Sequence, residues 1–291
     1  MKNVIIAETC CLCYGANQAM RKTQEALDGG AQIAMLKEIL HNKNVIQKLT
    51  NHGARVIDDV AQANANEYVV ICAHGEGKRT FDFLENNNIK YIDCTCPNVK
   101  AIEELVRRKN SEGYKIIIIG KYGFGGKPMH AEVKGTMGWC DNPILIEDES
   151  EINKIALGYS KYFLVIQTTF AKDLAEKYIV MIEMLMKKNN KIFEYKNTIC
   201  NAQKQINISS VKLCKNVDVM VVVGGKNSNN SRELYNNVSQ YVPAVFIEDI
   251  NELNDVIKTG IFSHYNTIGL TAGASTMRED IEAMKAILEQ I

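Results

Sequence analysis

Apolar runs of four to seven residues alternate along the chain with stretches of helical spacing. That alternation is the signature of parallel strands joined by helical crossovers and covered on both faces. The clearest strands fall at residues 4–7, 56–57, 69–72, 115–119, 144–146, 162–166, 219–223, 245–247 and 267–270. Helical spacing fits 16–27, 98–113, 173–187 and 231–240. A last helix carries Ile281, Met284, Leu288 and Ile291 on one face, and Thr276-Met-Arg-Glu279 reads as its capping box.

The pattern repeats. Ala54-Arg-Val-Ile-Asp-Asp59, Pro143-Ile-Leu-Ile-Glu-Asp148 and Pro243-Ala-Val-Phe-Ile-Glu-Asp249 each end in two acidic residues, with Asn64, Asn153 and Asn254 five positions further on. Each is followed by another apolar strand ending in small polar residues. A period of roughly a hundred residues is too long for a solenoid and suits three similar α/β lobes. The expected lobes are 1–95, 96–199 and 200–291. Cys13, Cys96 and Cys200 mark corresponding segments, 83 and then 104 positions apart. One cysteine per lobe, meeting at the centre of a pseudo-threefold trefoil, would hold one metal cluster.

Composition narrows the function. The 291 residues are 46% hydrophobic and 23% charged, ordinary for a soluble globular protein. Lys plus Arg equals Asp plus Glu at 34 each, which argues against nucleic acid or an anionic membrane as partner. No apolar run approaches the ~20 residues of a membrane span, and the first residues do not read as a signal peptide. Nine cysteines at irregular spacing point to a reducing cytoplasm and to metal or redox chemistry rather than disulfides.

In parallel sheets, ligand groups gather outside the carboxyl ends of the strands, where helix N-termini also point. Lobe one offers His41 and His74 there. Lobe two offers His130, Glu132 and Thr168. Lobe three offers the glycine-led loop from Gly224 to Ser231, with Ser228 and Asn230, and the strand end at Ser275. Imidazole, hydroxyl and amide donors around a glycine-rich loop suit a phosphate or diphosphate. Singly, each has a plain structural explanation: a turn histidine, a capped surface loop, a buried cysteine cluster, a strand-to-helix cap. Their joint occurrence at matching places in three lobes is what points to a site.

Taken in order, Cys13-Tyr-Gly, His41-Asn, Ala73-His-Gly, Asp93-Cys-Thr-Cys-Pro97, His130-Ala-Glu-Val-Lys-Gly-Thr-Met-Gly138, Gln167-Thr-Thr169, Thr198-Ile-Cys200, Gly225-Lys-Asn-Ser228 and Thr271-Ala-Gly-Ala-Ser275 resemble the 4-hydroxy-3-methylbut-2-enyl diphosphate reductase family, over essentially the whole chain. The resemblance implies a [4Fe–4S] cluster on Cys13, Cys96 and Cys200 with its fourth iron open to substrate. It implies reductive dehydroxylation to isopentenyl and dimethylallyl diphosphates in the methylerythritol phosphate route of isoprenoid biosynthesis. Glu132 would be the proton source, relayed by Thr168. His41, His74, His130, Ser228, Asn230 and Ser275 would hold the diphosphate. A ferredoxin- or flavodoxin-type protein would supply electrons. Departures from the family pattern are Cys10-Cys-Leu before Cys13, Cys72, Ala131, Asn229 and a longer loop over 121–129. They keep two other readings open: a paralogous iron–sulfur enzyme with another substrate, or a cluster-based redox or iron sensor.

Overall fold

The computed structural model describes residues 2–39, 43–123, 129–226, 228–274 and 276–291. Among them are three four-stranded sheets, all parallel. The first holds β2 (Gln32–Leu36), β3 (Ala54–Ile57), β4 (Glu67–Ile71) and β5 (Tyr91–Asp93) in the order β3-β2-β4-β5. The second holds β6 (Lys115–Ile119), β7 (Ile144–Ile146), β8 (Lys161–Ile166) and β9 (Ile192–Tyr195) in the order β7-β6-β8-β9. The third runs β11 (Ala244–Ile247), β10 (Val219–Val223), β12 (Thr267–Ala272) and finally β1 (Asn3–Ile6). The inner strands bury side chains on both faces: Ile116 to Ile119 and Val219 to Val223 are all at most 2% exposed. That is why they read as unbroken apolar runs.

Each sheet has the same strand order, second-first-third-fourth, but the third sheet borrows its fourth strand from the start of the chain. Asn3 pairs with Thr267 and Ile6 with Leu270. The sequence assigned residues 1–95 to one lobe; sheet pairing puts β1 with the strands beyond residue 200. One compact unit, Gln18–Ile39 with Lys48–Cys200, carries the first two sheets, and the other, built mainly from Asn201–Ile291, carries the third.

The acidic repeat has a structural meaning. β3, β7 and β11 are the matching edge strands, and the second acid after each caps the next turn. Asp59 accepts from Ala61 N at 2.9 Å, Asp148 from Ser150 N at 2.8 Å and Asp249 from Glu252 N at 3.0 Å. Gln62 and Glu151 accept in return from the N–H groups of Asp59 and Asp148, so these two are capping boxes, whereas Glu252 accepts from Glu248 N, one residue before the cap. The capping box expected at Thr276 does not form. The last helix, α10 (Arg278–Glu289), starts after Met277, and Thr276 Oγ1 approaches Val223 O at 3.5 Å instead. The remaining helices are α1 (Tyr14–Asp28), α2 (Lys43–Asn51), α3 (Lys78–Asn86), α4 (Pro97–Ser111), α5 (Ala131–Met137), α6 (Lys172–Lys188), α7 (Ala202–Cys214), α8 (Asn229–Val238) and α9 (Ile250–Lys258). Of these, α2, α3, α5, α7 and α9 were not read from the sequence.

Candidate active site

The fourth strand of every sheet leads into a cysteine and then a helix. Cys13 follows β1 and its carbonyl accepts from Asn17 N in α1. Cys96 follows β5 and is the N-cap of α4, with Pro97 in the first turn. Cys200 follows β9, one residue ahead of Asn201, the N-cap of α7. The one-per-lobe spacing therefore reflects one repeated position, at a helix start where backbone dipoles favour an anionic ligand.

Two of these cysteines are tied to other candidate residues. Cys96 N–H donates to Ala73 O at 3.0 Å, beside His74, and Cys200 N–H donates to Thr168 O at 2.9 Å. Thr168 in turn holds Glu132. Its N–H donates to Glu132 Oε1 at 2.6 Å and its hydroxyl to Oε2 at 2.7 Å. Glu132 is 3% exposed. Ile102, Ile118, Val133, Val165 and Ile166 line a cavity beneath it that is too small to admit a water. Burial pushes its carboxyl above the usual range, and the two bonds from Thr168 only partly offset this.

His130 caps α5, its Nδ1 accepting from Glu132 N at 3.3 Å, so the neutral ring carries its proton on Nε2. His74, from the end of β4, meets it edge to face with ring centroids 5.6 Å apart. Glycines make this approach possible. Gly135 lies against Gly75 and Gly138 against Gly77, where a Cβ would come within 2.4–3.3 Å of backbone. Gly75 also needs its φ of +76°. Trp139 seals the contact, donating to Glu76 O at 2.9 Å.

The sequence motifs contain Gly75, Gly135, Gly138 and Gln167 but gave them no role of their own; Gln167 Oε1 accepts from Lys121 N and its Nε2 donates to Thr169 Oγ1. The His-x-Glu-x-x-Gly-x-x-Gly spacing was the available signal. In the other unit, Ser228 caps α8 by accepting from Ser231 N at 3.3 Å, and Asn230 is exposed in its first turn. His41, Ser275 and residues 124–128 of the long loop lie outside the described residues.

The donor chemistry fits a thiolate-bound metal. All nine cysteines are thiols outside any disulfide, and Cys13, Cys96 and Cys200 are half-buried. Burial pushes Cys72 and Cys94 up to about 11 and Cys140 to about 12, which keeps them protonated. Among the described residues, no three His, Cys, Asp or Glu side chains stand grouped for a metal ion. The fit therefore rests on residue type and repeated position.

A dry carboxylic acid, a facing pair of histidines and thiols at helix starts are the donor set of an α/β redox enzyme. The LytB protein family model matches residues 4–289, and the chain belongs to that family. It is 32% identical to the 4-hydroxy-3-methylbut-2-enyl diphosphate reductase of Clostridioides difficile, covering 99% of this chain and all of that one. The enzyme of that name from Aquifex aeolicus is 32% identical over the whole chain and 97% of its own length. A solved (E)-4-hydroxy-3-methyl-but-2-enyl diphosphate reductase, described as the terminal enzyme of the non-mevalonate pathway, matches with TM-score 0.83, 31% identity and 100% coverage of both chains. The Plasmodium falciparum E-1-hydroxy-2-methyl-but-2-enyl-4-diphosphate reductase matches with TM-score 0.77 and 26% identity, over 99% of this chain and 88% of that one.

Proposed function

We propose that the chain converts 4-hydroxy-3-methylbut-2-enyl diphosphate to isopentenyl and dimethylallyl diphosphates. The net change adds two electrons and two protons, breaks the C–O bond and releases water. A [4Fe–4S] cluster on Cys13, Cys96 and Cys200, one from each sheet, would supply the electrons and an iron open to substrate. The observation that carries the reading is Glu132: a carboxyl raised by burial, gripped by Thr168, whose carbonyl anchors Cys200.

The chain's own residues then have distinct tasks. Glu132 holds a proton for the departing hydroxyl and for the allylic carbon, and Thr168 passes it across the hydrogen bond between them. His74 and His130 present N–H donors to the diphosphate, with His41, Ser228, Asn230 and Ser275 completing its binding. No described helix is long and apolar enough to cross a membrane. We place the protein in the cytoplasm, with a ferredoxin- or flavodoxin-type electron donor.

The test is anaerobic purification, iron and sulfide counts, and an assay with dithionite-reduced viologen. Iron near four per chain with both diphosphate products is expected. Full iron with no turnover would move the assignment to another substrate, and no iron would remove the cluster.

A further inference from the structure

Ahead of Cys13 stand two more cysteines that the proposed chemistry does not use. Cys10 and Cys11 are adjacent in sequence and their sulfurs lie 3.2 Å apart. Successive side chains in extended backbone point to opposite faces. These two converge because Cys11 has φ +73°, in the left-handed region that residues with a Cβ rarely enter. Cys11 N–H reaches Ala272 O at 3.4 Å, and Leu12 N–H donates to Thr276 O at 3.0 Å, which holds the loop in that shape. Arg278, opening α10, brings Nη1 to 3.7 Å from Cys10 Sγ. Cys11 is buried and Cys10 is half-exposed, so a small oxidant meets Cys10 first.

We propose that Cys10 and Cys11 form a peroxide-reactive dithiol, Cys10 attacking and Cys11 resolving. It rests on sulfur geometry and is independent of the reductase reading. The hydrogen bond from Cys11 holds Cys10 below the usual thiol range; burial opposes this, Arg278 assists and Glu282 opposes. The Cys10 thiolate attacks hydrogen peroxide, forming S–O and breaking O–O, and the leaving hydroxide takes up a proton to become water. Cys11 sulfur then attacks Cys10, S–S forms, S–O breaks, and a second water leaves with the Cys11 proton. Two thiols lose two electrons and one peroxide becomes two waters. A disulfide between neighbours closes a strained small ring, so it is easily reduced by thiols and the reaction is reversible. Cys13, three positions on, is spared while the pair consumes the oxidant.

The experiment treats the full chain carrying Cys13→Ser with one equivalent of hydrogen peroxide, then alkylates and maps peptides by mass. The peptide spanning Cys10 and Cys11 is expected to lose two hydrogens, to regain them with dithiothreitol, and to lose none when Cys10→Ser is added. Arg278→Ala should slow the reaction about threefold, because higher nucleophilicity partly offsets the lost thiolate. Sulfinic acid on Cys10 without S–S formation would overturn the proposal. In the unaltered protein, phenylarsine oxide, which bridges neighbouring thiols, should shield Cys10 and Cys11 together from alkylation. Independent alkylation of the two would overturn the proposal as well.

Discussion

Burial holds the Glu132 carboxyl above its ordinary range, and the proton-donor role proposed for it depends on that dryness. Glu132→Gln keeps the bond from Thr168 N–H but has no acid proton, so substrate should bind while turnover falls about 10²–10⁴-fold, read as kcat against KM. In the wild type, kcat should decline as pH rises through the raised value of Glu132. A second acid is buried without a catalytic task. Glu103 in α4 is 4% exposed, its Oε1 has no hydrogen-bond partner among the described residues, and a Cβ on Gly75 would meet that oxygen at 2.2 Å. Burial, aided by Asp93, pushes its carboxyl up to about 8. The folded value lies above the unfolded one, so its contribution is full below about pH 4 and is lost as pH rises towards 8. Wild-type stability in urea should therefore fall between about pH 5 and 8 by a few kcal/mol more than that of Glu103→Gln. Glu132 was legible in the sequence because it lies in a motif. Glu103 was not, since its importance comes from a glycine brought against it by the fold.

At the scale of elements, the long apolar runs and amphipathic helices were legible because burial on both faces or on one stripe leaves a period in the sequence. The misses have physical reasons. β2 contains Ala34 and Met35, which favour no strand; β5 is three residues long; α5 carries Gly135 inside a seven-residue helix. Thr276 has the right type for a cap, but its hydroxyl faces the third sheet instead. The glycine contact gives a test at this scale. Gly138→Ala would drive a Cβ to within 2.4 Å of Gly77 Cα, backbone that cannot step aside cheaply. It should cost about 1–3 kcal/mol in chemical denaturation. It should also weaken diphosphate binding by displacing the turn that carries His74, whereas Ala at the exposed Gly158 should do neither, having open space around it.

At the scale of the whole molecule, the three-lobe repeat was readable from the edge strands, whereas the placement of β1 was not. Parallel pairing is non-local, and nothing in Asn3-Val-Ile-Ile6 names β12 as its neighbour. The strand is nonetheless integral to the third sheet: Val4 belongs to one core with Ile268, Leu270, Ile281 and Leu288. Deleting Lys2 to Ile6 should expose the edge of β12 and the face of α10. Hydrogen exchange should then lose protection in residues 267–272 and 278–289 while β6 and β8 keep theirs.

That pairing also sets a timetable. A ribosome adds about 5–20 residues per second, so β1 waits on the order of tens of seconds for the partner strand to be made. Throughout that interval an apolar strand is outside the tunnel with its hydrogen-bonding edge unmet. Its brevity, four residues, keeps the delay tolerable by offering little to a passing chain. Slowing translation late in the message should therefore increase chaperone capture of nascent chains, and the third sheet should be the last part of the molecule to resist protease.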